Sequence, residues 1–345
     1  MRISKSVFKT VLFILVFVLI NALLGFFLEP FRGSSMEMWQ NYRQRKNIDM
    51  IYVGSSQCVC AMKPDILDKT LGTKSYNMGT NMQSFHNSYL AVRSAVKEKN
   101  VNRVILVIDY EMLDCRRGRN FRAEASFQRA MNRGQGIGKK VRNDVAFVSD
   151  PDFRGRAASV NYFFPWIYDR DMNISQNVRE KMAGKVLDSK EHRDKNGFLP
   201  SEKVLDSGVD YITLANVSAW QKEATTLINL RMTDESRKDL EKICRFCRDN
   251  RIEVDAITVP YPNFITIYSE KSYIQVADEL KDLFRNFGFS YYDFNLAKPS
   301  LYQSDLSCYS DNGHMNTKGA SRFSLMYANF LKSTTEREAL FDTME

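Results

Sequence analysis

The chain has 345 residues, of which 44% are hydrophobic, 12% aromatic and 26% charged, enough for a sizeable core in one large or two moderate domains and too ordinary for a disordered or fibrous polypeptide. The formal net charge of +8 is spread along the sequence, which favours anionic lipids or anionic envelope polymers as surroundings; no nucleic-acid module is visible, so nucleic acid is not expected as a partner. Six cysteines permit disulfides without specifying them, and Cys244 and Cys247 lack a second ligand pair at zinc-like spacing, so no metal is expected.

Val11 to Leu28 is an apolar run interrupted only by Asn21 and Gly25 and preceded by Arg2, Lys5 and Lys9. Eighteen helical residues cover about 27 Å, close to the hydrocarbon thickness of a bilayer. The run is longer than a signal-peptide core and no small-x-small cleavage site follows it. Residues 1–28 are therefore expected as a cytoplasmic basic flank and an uncleaved single-pass anchor, with everything after Leu28 outside the cell membrane. Residues 29–47 are polar and read as a tether, helical around Met36 to Arg45.

Met50 to Val53 reads as a buried strand running into Gly54-Ser55-Ser56. Pro64 starts a short helix that Gly72 ends. Ser75 to Met78 is a second strand leading into Gly79, Ser84 to Lys97 a helix, and Val104 to Ile108 a strand of continuous β-branched and Leu residues. The pattern breaks over 111–232, an insertion expected to hold several short helices packed over the sheet edge, with the aromatic cluster Tyr162 to Trp166 read as its core, the alternative being a substrate lid or a docking surface. Alternation resumes with a helix opened by Thr233, a strand over Ile252 to Val259, a helix over Ser272 to Phe287, a strand over Phe289 to Phe294 and a closing helix over Thr317 to Lys332. The tail, 334–345, is charged and expected to fray. Strands alternating with helices predict a parallel sheet covered on both faces.

Two segments carry chemistry. Ser56 follows the first strand, and Asp311-Asn312-Gly313-His314 supplies a carboxylate and an imidazole three residues apart. A serine attacks only when a base takes its proton, and the base needs an acid partner to fix its tautomer. The chain has three histidines. His192 sits in the charged run 190–194, expected to be solvated, and His86 opens a helix near Gly79, where it is a candidate lining residue. The bland alternative is that Ser55 and Ser56 cap a helix and Asp311 caps a turn.

These blocks resemble the SGNH, or GDSL-like, hydrolase superfamily. The resemblance implies a flavodoxin-like three-layer α/β/α sandwich around a central parallel sheet, here occupying 48–333 with the insertion inside it. It places Ser56 as nucleophile, His314 as base and Asp311 as its orienting acid, with no cofactor. It implies oxyanion donors at the amides of Ser56 and of Gly79 in Asn77-Met78-Gly79, with Ser55, Asn77 and Asn81 lining the site. The family's third block carries an Asn donor after the third strand; here that strand ends Ile108-Asp109-Tyr110-Glu111, and an ionised carboxylate cannot donate. The Gly-Ser-Ser form, single span and insertion are similar to the membrane-anchored branch that includes the D-alanyl transfer protein of teichoic-acid modification and polysaccharide O-acetylation proteins. That branch implies a membrane-bound O-acyltransferase as partner and an anionic envelope polymer as substrate. The expected function is a membrane-anchored, extracytoplasmic serine acyltransferase or esterase. The alternatives are a carbohydrate O-acetyl esterase and a non-catalytic polymer-binding protein with a degenerate pocket.

Overall fold

A computed structural model describes residues 4–114, 120–151, 153, 157–187, 192–205, 230–262, 270–303, 305–333 and 337–341. In chain order, α1 is Lys5–Leu28, α2 Ser34–Gln44, β1 Met50–Val53, α3 Ser56–Ala61, α4 Pro64–Leu71, β2 Ser75–Asn77, α5 Phe85–Glu98, β3 Arg103–Val107, α6 Tyr110–Leu113, α7 Phe121–Asn132, α8 Ile137–Ser149, α9 Ala157–Phe163, α10 Pro165–Tyr168, α11 Ile174–Ala183, α12 Asp234–Asp249, β4 Glu253–Thr258, α13 Glu270–Arg285, β5 Ser290–Asp293 and α14 Thr317–Lys332. The chain divides into two compact units: Met1–Glu37 with Asn120–Lys190, and Met38–Arg119 with Glu191–Glu345.

The second unit holds a five-stranded, all-parallel sheet in the order β2-β1-β3-β4-β5, with helices on both faces. This is the flavodoxin-like order, whose direction reverses between β1 and β3. Both faces are covered, so β1 (MIYV) is buried at every residue and β3 (RVILV) at every residue after Arg103. Alternate side chains serve opposite faces. Met50, Tyr52, Ile105, Val107 and Ile257 pack with Leu67 of α4 and with Phe323, Tyr327 and Phe330 of α14. On the other side α5 meets α12, where Tyr89 packs edge-on against Phe246 with ring centroids 5.9 Å apart.

Local signals set the element ends. Pro64 opens α4, and Gly72 closes it in the left-handed conformation with its N–H on the Asp68 carbonyl. Ser84, Thr233 and Asn316 cap α5, α12 and α14 through their side-chain oxygens. The five described cysteines, Cys58, Cys60, Cys244, Cys247 and Cys308, are buried, and no disulfide joins any two of them.

Four details differ from the sequence reading. Residues 29–47 are more than a polar tether: Met38, Trp39 and Tyr42 of α2 are buried in the sheet unit, and Tyr76 donates its hydroxyl to the Met38 carbonyl. The insertion does not act as one block. Its 120–190 part groups with the N-terminal segment, while 192–205 is laced to the sheet unit through Asn77 N–H on the Asn196 carbonyl and Leu199 N–H on the Val59 carbonyl. Arg193, expected on a solvated face, is buried and donates to the Gly197 carbonyl, whereas His192 is exposed. In the C-terminal tail Phe341 does not fray; it stacks on Tyr292 and meets Phe294 edge-on, because an apolar ring gains by covering the α14 core. Residues 206–229 and 342–345 lie outside the described residues.

In the first unit, α1 is long and apolar enough to cross a membrane. Tyr162, Phe147, Phe153 and Ala125 form a small buried core. Tyr162 thus belongs to the core as expected, while Phe163 is exposed and Phe164 packs on Phe17 of α1.

Candidate active site

Gly54 leads from β1 into the turn that carries the serines. A Cβ there would sit 2.6 Å from the Val107 carbonyl oxygen of β3, so the turn passes too close to its neighbour strand for any other residue. Ser55 caps α3, accepting the Gln57 N–H, and Ser56 is the first residue of that helix. Far along the chain, the loop after β5 returns as an isolated bridge between Tyr309 and Met315. Asn316 clamps its exit, donating to the carbonyls of Ser307 and Tyr309 while capping α14. The Asp311 carboxylate accepts the Gly313 N–H, and Ser310 donates its N–H and its hydroxyl to the His314 carbonyl.

This architecture brings Ser56, His314 and Asp311 together across more than 250 residues of sequence. His314 Nε2 lies 2.8 Å from Ser56 Oγ, and His314 Nδ1 lies 2.8 Å from Asp311 Oδ1. All three side chains are half-buried, open to solvent yet partly sheltered from it. Burial pulls the His314 imidazole down, but the Asp311 hydrogen bond and charge, together with the negative fields of Asp109 and Glu111, more than offset this and leave it above its ordinary value. Burial pushes Asp311 up, and His314 with the Gly313 and His314 amides more than reverses it, holding the carboxyl below its ordinary value. Both shifts favour a carboxylate-imidazolium pair.

Other sequence-named residues take different places. Ser55 is buried; it donates to Asp109 Oδ2 and so ties the end of β1 to the end of β3, across the point where strand order reverses. Asp109 also accepts from the Glu111 N–H and the Tyr261 hydroxyl. Asn77 is fully buried: its amide donates to the Cys58 and Met62 carbonyls, and its oxygen accepts the Gly79 N–H at 3.0 Å. The Gly79 amide, expected as an oxyanion donor, is therefore engaged inside the protein. What requires glycine at 79 is close packing, since a Cβ would lie 2.9 Å from Cys58 Cβ and 3.0 Å from the Val59 nitrogen. In the first turn of α3, Gln57, Cys58 and Val59 all give their N–H groups to Ser55, and among the described residues the Ser56 N–H has no such partner. Asn81 is exposed in the turn after Gly79, and His86 lies in the first turn of α5, partly buried.

Sequence reasoning missed Gln57, whose side chain donates to the Gly313 carbonyl and joins α3 to the histidine loop. It also missed Tyr261 and Asn316. An Asn three residues before a glycine at a helix start is a readable cap for Asn316; nothing local marks the other two. Among the described residues, no three His, Cys, Asp or Glu side chains are grouped to hold a metal ion.

No protein-family model matches the chain, and no curated protein matches it. Among solved structures it is similar to that of a "putative acylhydrolase" from Bacteroides fragilis NCTC 9343, at 10% sequence identity and a TM-score of 0.38, over 86% of this chain and 94% of that one.

Proposed function

We propose that the protein is a serine esterase or acyltransferase that works through a covalent acyl-enzyme. The observation that carries this reading is the hydrogen-bonded series Asp311, His314, Ser56. Ser56 Oγ attacks the carbonyl carbon of an ester as its proton passes to His314 Nε2. The tetrahedral oxyanion forms within reach of the Ser56 N–H and the start of α3, whose partial positive charge favours it. As the ester C–O bond breaks, the imidazolium returns the proton to the departing oxygen. Water or an acceptor hydroxyl then gives its proton to His314 and attacks the acyl carbon; as the bond from that carbon to Ser56 Oγ breaks, His314 returns the proton to Ser56 Oγ. Asp311 holds Nδ1 protonated so that Nε2 is the accepting nitrogen.

Charge and the expected membrane topology support one substrate class. With α1 in the membrane and the basic flank of Arg2, Lys5 and Lys9 in the cytoplasm, the sheet unit faces the envelope. A net charge of +8 suits an anionic, hydroxyl-bearing envelope polymer as acceptor; a membrane-bound O-acyltransferase as the donor-side partner is what the resemblance to the membrane-anchored branch implies. A fluorophosphonate probe tests the core of the proposal: it is expected to modify wild-type protein at Ser56 and to leave Ser56→Ala unmodified. A folded protein that forms no adduct would instead favour a non-catalytic polymer-binding role. The engaged Gly79 amide and the carboxylate at Asp109 are the observations on that side. Rapid hydrolysis of small acetyl esters by the purified protein would favour simple O-acetyl ester cleavage over transfer.

A further inference from the structure

The contacts that the first unit makes with α1 are graded by polarity along the helix. Deepest from its C-terminal end, Phe17 meets Phe164 edge-to-face, with centroids 6.0 Å apart. One turn later Asn21 is held from both sides: Trp166 Nε1 donates to its oxygen at 2.7 Å, and its amide donates to the Phe163 carbonyl. Next, Lys181 Nζ donates to the carbonyls of Gly25, Phe26 and Glu29, capping the negative end of the helix. Last comes an ionic layer in which Arg129 bridges Glu29 and Asp169 at 2.9 and 3.1 Å, and Arg32 pairs with Asp171. The whole sequence of contacts, from Phe17 to Glu29, covers about 18 Å of helix.

Apolar rings, then a hydrogen-bonded Trp, then Lys, then ion pairs is the order of environments from the interior of a leaflet to water. The same end of the unit leaves apolar side chains uncovered: Phe163 is 43% and Ile167 40% exposed, beside Val160. α1 itself is exposed along Val7 to Ile20 and becomes partly covered only from Asn21 onward, where α10 and α11 pack on it.

We propose that the α9–α10 corner is a second membrane contact, with Phe163, Phe164 and Ile167 dipping into the lipid leaflet in which α1 ends and Trp166 lying at its interface. The occupant of this apolar surface is lipid, because the surface is continuous with the spanning helix and shares its polarity gradient. The proposal rests on α1 spanning the bilayer. The insertion thus supplies an interfacial anchor that fixes its own depth and tilt, which a lone spanning helix does not.

The test uses the full chain in phosphatidylcholine–phosphatidylglycerol vesicles, with lipids brominated on their acyl chains as quenchers. Trp166 emission is taken as the difference between wild type and Trp166→Phe. Ile167→Trp in the Trp166→Phe background gives a second reporter, and Phe13→Trp in the same background reports on α1. The expected result is that all three signals are strongly quenched by brominated lipid and little affected by aqueous iodide. If Phe13→Trp is quenched while the Trp166 and Ile167→Trp signals are not, α1 spans but the interfacial corner is wrong. Protection of both signals from lipid and iodide alike would mean that protein covers the corner, which also overturns the proposal. Were Phe13→Trp itself unquenched, the spanning reading would fall together with this one.

Discussion

At the residue scale, chemistry turns on which nitrogen of His314 is free to accept a proton. With Nδ1 on Asp311 and Nε2 on Ser56, Asp311→Asn is expected to leave the fold intact and cut turnover by several orders of magnitude, by favouring the wrong tautomer. His314 must be neutral to act as base, and its value is raised from 6.5. Activity is therefore expected to rise with pH through a limb above 6.5 and to be lost on acidification; a kcat/KM profile measures that limb. Neutralising Asp109 as Asp109→Asn removes one of the fields that raise His314, so the limb should move to lower pH. Ser55→Ala strips a buried partner from the Asp109 carboxylate and is expected to cost about 1–3 kcal/mol in chemical denaturation. Gly79→Ala drives a methyl into Cys58, and a loss of about 1–3 kcal/mol is expected from overpacking in the same assay.

At the element scale, most of the sheet unit was legible from local pattern. The strands β1 and β3 are continuous apolar runs, and α4 carries its Pro start and Gly stop as expected. The segment before β1 was not legible in the same way. Its polar residues dominate composition, and only packing reveals that Trp39 and Tyr42 are fully buried, stacked edge-to-face at 5.5 Å. Trp39→Ala is expected to destabilise the sheet unit by about 3–5 kcal/mol, which thermal or urea unfolding of the full chain would register. A true tether residue would give no such loss.

At the scale of the whole molecule, the chain joins a parallel sheet with a site at its strand ends to a unit that includes an apolar N-terminal helix. Lys181 caps that helix by hydrogen-bonding the carbonyls of Gly25 and Phe26 in its last turn and of Glu29 just after it. Lys181→Met removes the cap and leaves those carbonyls without their cationic donor; faster proteolysis of the 120–190 segment in membranes is the expected outcome, with the sheet unit unaffected. High salt is expected to weaken binding of an anionic polymer to the basic protein without releasing it from membranes, since screening acts on exposed charge and not on the apolar helix.

The sequence alone determined what depends on near neighbours: apolar periodicity, helix caps, the long apolar span, and the Gly-Ser-Ser and Asp-x-x-His segments with the side chains named from them. Only the tertiary structure decided what depends on partners far away in the chain. It set the Gly79 N–H on Asn77, Ser55 on Asp109, the Gln57 amide on the Gly313 carbonyl, and residues 120–190 with α1 and not with the sheet. The reason is that an amide or a carboxylate bonds to whatever the strand order and loop closure place within about 3 Å, and no local pattern encodes that proximity.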